Sequence, residues 1–213
     1  MLVRILAAVV AAPALLLFTA AAPVPGARSL GHAELRLVVA PAGNEVRYRV
    51  REQLAGFDLP NDAVGKTAAV SGGITFGPNG AVVPAASKVT VDVQGLTSDR
   101  SRRDGYVRAR VLETAQYPTV TLTPTAVAGL PWPLPTSGSQ TFQLTGDLTV
   151  HGTTHPTTWN VTATFSGSDV TGTAITGFTF DDFGLTRPRV PIVLSVADSI
   201  HLEYEFHLVP EGK

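Results

Sequence analysis

The 213-residue chain has no cysteine, which excludes disulfide scaffolds, thiolate zinc sites, cysteine nucleophiles and a lipid-modified N-terminal cysteine. Charged residues make up only 15 % and the formal net charge is -1, so no basic excess exists to displace counterions from nucleic acid. No two glycines are separated by a single residue, and no serine stands in G-x-S-x-G. A dinucleotide-binding loop and a hydrolase nucleophile elbow are therefore both absent. Gly65-Lys66-Thr67 has the tail of a P-loop, but Pro60 occupies the place of its first glycine and the residues that follow are strand-like.

Met1–Phe18 carries one charge, Arg4, ahead of the apolar run Ile5–Phe18 and the small residues Thr19-Ala20-Ala21-Ala22. That order is expected of a secretory signal peptide; an uncleaved anchor helix is the alternative, since Ile5–Ala22 approaches the length of a bilayer span. Pro13 weakens such a helix and Pro23-Val24-Pro25-Gly26 reads as an extended tether. Pro23 disfavours a cut after Ala22 and leaves Ala21 or Ala27. Residues 1–27 are thus read as signal peptide and tether, and 28–213 as one domain in the periplasm, cell envelope or exterior.

The rest of the chain has little of what exposed helices use. The whole sequence has 26 valines, 25 threonines and 5 isoleucines against 7 glutamates and 3 lysines, a balance that favours pleated surfaces. Strict alternation from Ser199 to Leu208 places Ile200, Leu202, Tyr204, Phe206 and Leu208 on one face. The pattern recurs in Val46-Tyr48-Val50, Val89-Val91-Val93, Val120-Leu122, Phe142-Leu144 with Leu148-Val150, and Trp159-Val161-Ala163-Phe165. Gly72-Gly73, Pro78-Asn79-Gly80, Pro131–Gly138 and Gly167-Ser168-Asp169 read as loops. Ser98–Tyr117 breaks the pattern as a short helical excursion, with capping candidates at Ser98 and Asp104 and an end at Pro118. The class is all-β, in one domain.

Arg47, Arg49 and Arg51 alternate on the outer face of the first strand, and Glu203 and Glu205 on that of the last. Opposed charges across a strand pair contribute roughly 0.2–1 kcal/mol, so these strands are expected to be antiparallel neighbours that close the sheet. Two independently solvated faces are the alternative.

Constellations for catalysis are missing. His151 and His155 flank a turn and read as surface histidines rather than metal ligands. His201 and His207 fall on a polar strand face, and His32 in the tether. Asp181 and Asp182, if on a strand, point to opposite faces and form no acid/base pair. Asn160-Val161-Thr162 lies among strand residues, and the glycosylation triplet is assigned no role. The cluster Arg100, Arg102, Arg103, Arg108 and Arg110 reads as a solvated rim, or as guanidinium groups at a pocket mouth suited to a phosphate headgroup.

Four segments in order resemble the YceI-like, polyisoprenoid-binding, lipocalin-like family. They are Val64-Gly65-Lys66-Thr67; Thr97–Pro118 with Ser98-Asp99, Arg103-Asp104-Gly105, Leu112-Glu113-Thr114 and Gln116-Tyr117-Pro118; Leu144–Pro156 with Gly146-Asp147-Leu148-Thr149-Val150-His151-Gly152-Thr153-Thr154; and Phe180-x-Asp182-Phe183-Gly184 with Pro188 and Pro191. The Asp-x-x-His-Ser opening of many members is replaced by Ala42-Gly43-Asn44-Glu45-Val46, and His155 stands where many carry Lys.

The resemblance implies a single antiparallel β-barrel of about eight strands holding a polyisoprenoid, such as an isoprenoid quinone or polyprenol, for transport, storage or sequestration. It implies no cofactor, no metal, no catalysis, and at most transient membrane contact. Its lining would comprise Val91, Val93, Leu122, Phe142, Leu144, Leu148, Trp159, Val161, Phe180, Phe183, Leu202, Tyr204 and Phe206, with Arg103, Tyr106 and Arg108 as headgroup contacts. The same alternation describes a solid-core β-sandwich or barrel acting as a scaffold or adhesion module. An enzyme acting on a bound lipid would need inward polar groups, for which Tyr106, Tyr204 and Asp182 are the candidates.

Overall fold

The computed structural model describes residues 34–212; the expected signal peptide, tether and His32 lie outside them. Eleven strands share one sheet. They are β1 (Leu35–Val39), β2 (Glu45–Leu54), β3 (Asn61–Thr67), β4 (Val70–Phe76), β5 (Lys88–Asp92), β6 (Thr97–Ser98), β7 (Thr119–Ala128), β8 (Ser137–Val150), β9 (Thr153–Ser166), β10 (Asp169–Thr179) and β11 (Val193–Pro210). The expected excursion is helix α1 (Ser101–Tyr106) running into a π-helical turn, Val107–Val111.

Eight strands close a ring in the order β1-β4-β5-β7-β8-β9-β10-β11, sealed where Leu37, Val38 and Val39 pair with Pro210, Val209 and Leu208. Every pairing is antiparallel, and closure removes the free edges that would invite association. The remaining three, β2-β3-β6, continue the wall from β11 toward one end. That long strand therefore has β1 against its last residues and β2 against its first. Beyond β6 the wall is continued by α1 and the π turn, whose Tyr106, Val107 and Val111 face the lumen.

The charge ladder joins β2 to β11, with Arg47 opposite Glu203. Arg47 Nη1 lies 2.8 Å from Glu205 and 3.7 Å from Glu203. Arg49 and Arg51 instead reach across to Asp62 on β3, at 3.3 and 3.1 Å. The arginine strand is second in the chain rather than first, and β1 makes the ring closure.

Alternation sets the faces. On β9, Thr157, Trp159, Val161, Ala163 and Phe165 are buried while the residues between them are exposed. Gly72 and Gly73 do not mark a loop but lie within β4. A side chain on Gly72 would strike the Lys88 carbonyl and one on Gly73 the Leu37 carbonyl, so close strand approach is the reason for the pair. Asp181 and Asp182 fall in a 3-10 turn, Asp181–Phe183, not on a strand.

Candidate functional site

The lumen holds two cavities of unequal size. At the end where β2 stops and β11 starts, Val50, Ala63, Val93, Val150 and Val196, with the larger Tyr48, Tyr106, Phe178 and Phe180, line a cavity of about 730 Å³. At the other end Phe76, Phe142, Leu148, Trp159, Phe165 and Phe206 fill the same lumen down to about 120 Å³. Val46, Val91, Val120 and Leu202 line both chambers and form the neck between them. An interior of eight strands has room for side chains or one small ligand. Here one half is hollow and the other packed.

Among residues expected to line a cavity, Val93 and Phe180 face the outer chamber, and Val91 and Leu202 the neck. Leu122, Phe142, Leu144, Leu148, Trp159, Val161, Tyr204 and Phe206 surround the inner one. Phe183 lines neither. It is fully buried within the apolar core, with its ring 4.6 Å from Phe178 and 5.6 Å from His155. Gly184, at a φ of 62°, completes that turn, and Asp182 caps it by accepting the Thr179 N–H at 2.7 Å. This bond holds the Asp182 carboxyl below its usual range.

The mouth of the outer chamber is polar, with Glu52, Asp99, Arg100, Ser101, Arg102 and Arg103 around it. Arg103 Nη2 donates to Glu52 Oε1 at 2.6 Å and Nη1 to Asp99 Oδ1 at 2.5 Å. The Arg103 and Glu52 side chains are only 12 % and 8 % exposed. Burial works against the Arg103 charge, but Glu52 and Asp99 more than offset it and raise its pKa. The guanidinium is thus already bonded to two carboxylates, which defines what remains for a ligand. Tyr106 lines this chamber. Arg108 does not: its Nη1 donates to the Leu96 carbonyl at 2.9 Å and holds the insert to the turn before β6.

Several quoted landmarks build the wall rather than the lumen. Asp104 Oδ1 accepts both the N–H and the hydroxyl of Ser98, at 2.8 and 2.5 Å, tying α1 to β6; neither residue is the helix cap, which is Arg100. Glu113, at a φ of 46°, sends Oε2 to His151 Nε2 at 2.8 Å. The Tyr117 ring lies 4.4 Å from that imidazole, over Gly152, where a Cβ would come within 2.8 Å of the ring. Among the described residues no group of three or more His, Cys, Asp or Glu is placed to hold a metal.

Two inward groups stand outside the expected lining set, although Tyr48 belongs to the alternation Val46-Tyr48-Val50. Tyr48 crosses over its β3 partner Gly65, whose bare Cα leaves room for the ring. Burial pushes the Tyr48 phenol up to about 12. Glu52 follows Val46, Tyr48 and Val50 on the same parity, so its inward direction was available from alternation alone.

A family model described as the YceI-like domain matches residues 37–208. The chain belongs to the YceI-like family. Among curated relatives, a UPF0312 protein of Pseudomonas putida (strain GB-1) is 34 % identical over 114 residues, covering 49 % of this chain and 56 % of that protein. One from Pseudomonas fluorescens (strain SBW25) is 32 % identical over 117 residues, covering 51 % and 57 %. The chain spans little more than half the length of these relatives. Its YceI-like barrel is similar to a polyisoprenoid binding domain from Saccharophagus degradans implicated in plant cell wall breakdown (TM-score 0.63, 12 % identity, 83 % of this chain and 99 % of that one). It is also similar to Burkholderia cenocepacia BcnA (TM-score 0.56, 21 % identity, 80 % and 98 %). These likenesses carry the fold.

Proposed function

We propose that the protein is a lipid carrier that holds one polyisoprenoid or similar long-chain amphiphile in the barrel, for transport, storage or sequestration. One observation carries the reading: the larger cavity, about 730 Å³, combines an apolar valine wall with a polar mouth. Its size lies in the range of roughly 300–1,000 Å³ typical of small-molecule sites. Burial of apolar surface, at about 25 cal/mol per Å², supplies the driving force, and the neck lets a long tail reach toward the inner chamber. The head stays at the mouth beside Tyr106 and Arg103. Arg103 is already bonded to Glu52 and Asp99, so it serves as a hydrogen-bond donor more than as a free cation.

The chemistry is binding rather than catalysis, with no cofactor. Of the inward polar candidates, Asp182 is tied into its turn and Tyr204 donates to Asn44 Oδ1 at 2.9 Å. The apolar N-terminal run supports work outside the cytoplasm.

Native mass spectrometry of gently purified protein, followed by organic extraction, tests the reading. A stoichiometric long-chain lipid is the expected result. A barrel that is empty as isolated and takes up neither added isoprenoids nor fatty acids would overturn it in favour of a scaffold role.

A further inference from the structure

Five large apolar side chains are exposed among the described residues, and four of them stand at one end of the barrel. Phe57 (53 % exposed) and Leu59 (76 %) are on the turn from β2 to β3, and Ile192 (57 %) and Leu194 (65 %) are at the entry to β11. The two segments are joined: Ala55 N–H donates to the Ile192 carbonyl at 2.8 Å, and Leu54 is the register partner of Val193. Ile192 also lines the outer chamber, so this apolar rim borders its mouth. Apolar groups clustered in this way on a soluble domain mark a contact surface.

The charges beside the rim indicate what it meets. Arg100, Arg102, Arg103, Arg187 and Arg189 stand at this end with Glu52, Asp58, Asp99 and Asp198. Asp99 is bonded to Arg103 and Asp198 to Arg187 at 2.6 Å. Arg102 and Arg189 are exposed and make no ion pair among the described residues. The Arg100 guanidinium lies 5.7 Å from the centre of the Phe57 ring. Aromatic and aliphatic tips flanked by arginines suit the boundary between acyl chains and anionic headgroups.

We propose that this rim is a membrane-docking surface: Phe57, Leu59, Ile192 and Leu194 seat in the headgroup boundary of an anionic bilayer while Arg102 and Arg189 face lipid phosphates. Docked in this way, the cavity mouth opens directly onto the acyl region. A chain passing between bilayer and barrel then stays out of water. The surface stands on the rim itself, and its use in lipid transfer rests on the carrier reading.

Absence of cysteine allows one reporter per protein. An environment-sensitive dye is attached to Leu59→Cys at the rim, or to Ser168→Cys in the turn between β9 and β10 at the opposite end. Each full chain is mixed with phosphatidylcholine vesicles containing about one third phosphatidylglycerol, and with vesicles of phosphatidylcholine alone. The expected result is a blue shift, with quenching by lipid-borne nitroxide, for the Leu59 label in the anionic vesicles and none for the Ser168 label. Replacing Arg102 and Arg189 with Ser should weaken vesicle affinity by about 30-fold, roughly five-fold for each charge near the surface.

A silent Leu59 label, equal responses at both ends, or a response that follows protein concentration without vesicles would each overturn the proposal. The last would assign the rim to a second copy of the chain. Lipid recovered by extraction beside a silent rim rejects docking and leaves the carrier; a docked but empty barrel does the reverse.

Discussion

Arg103→Met isolates the role of the buried ion pair at the cavity mouth. The substitution keeps the side chain's apolar reach but strands Glu52, which is 8 % exposed and otherwise has only a weak 3.4 Å contact from Asn61 Nδ2. Removing one partner of a buried pair costs about 3–5 kcal/mol. The cavity beside Glu52 can admit water, which places the expected loss near the lower end, about 3 kcal/mol. For a domain of this size that is a fall in Tm of about 6–12 °C. Glu52→Gln leaves Arg103 bonded to Asp99 and should cost about half as much. The double variant no longer holds an uncompensated carboxylate, so it should be more stable than Arg103→Met alone, with a coupling of about 1 kcal/mol or more. Urea unfolding of the four proteins at pH 7 measures each term. Additive losses, or an Arg103→Met protein within about 0.5 kcal/mol of the parent, would refute the assignment of this pair as a buried, mutually dependent unit.

Val120→Trp fills the neck and should exclude long-chain lipids while short amphiphiles still enter, as read by displacement of fluorescent fatty acids of two lengths. Gly65→Ala drives a Cβ into the Tyr48 ring and should destabilise by about 1–3 kcal/mol; in a Tyr48→Ala background thermal melts should show most of that loss gone. In alkali, the Tyr48 pKa is raised from 10.0 to about 12. Its contribution is therefore complete below pH 10 and lost as pH rises toward 12, and phenolate absorbance should show late titration that disappears in Tyr48→Phe. In acid, hydrogen bonding by Lys66 lowers the Glu45 pKa, and bonding by Arg51 lowers that of Asp62, from ordinary values of 4.5 and 3.8. Both folded values are depressed, so their stabilisation is present above the ordinary values and lost as pH falls below them; melting temperature followed from pH 6 to 2 should drop there, and less steeply in Asp62→Asn.

Period-two alternation carried most of the fold, because the parity of β9 and β11 in the sequence is the parity of burial in the barrel. It did not reveal that Gly72 and Gly73 belong to a strand, since the carbonyls they accommodate come from β5 and β1. Nor did it show Asp62 drawing Arg49 and Arg51 away from β11, because β3 is short and its charges lack a pattern. The hollow half of the lumen was not legible, because valines and aromatic side chains line both cavities and a reading confined to polar and apolar classes does not show where the space between them stays open. Alternation also does not show that Phe183 lies in a 3-10 turn rather than on a strand, with Gly184 at positive φ completing it.

β11 is the strand on which β10, β2 and β1 all converge, and it is the last of the strands in chain order. Until it emerges from the ribosome, β10 and the β1–β2 side have no common partner and the ring stays unclosed. Most of these contacts join residues far apart in sequence, so loop closure must precede their reward and folding is slow. The order of synthesis thus delays the barrel until β11 is available. It also leaves strand edges exposed for that interval, when binding by a chaperone has the most to protect.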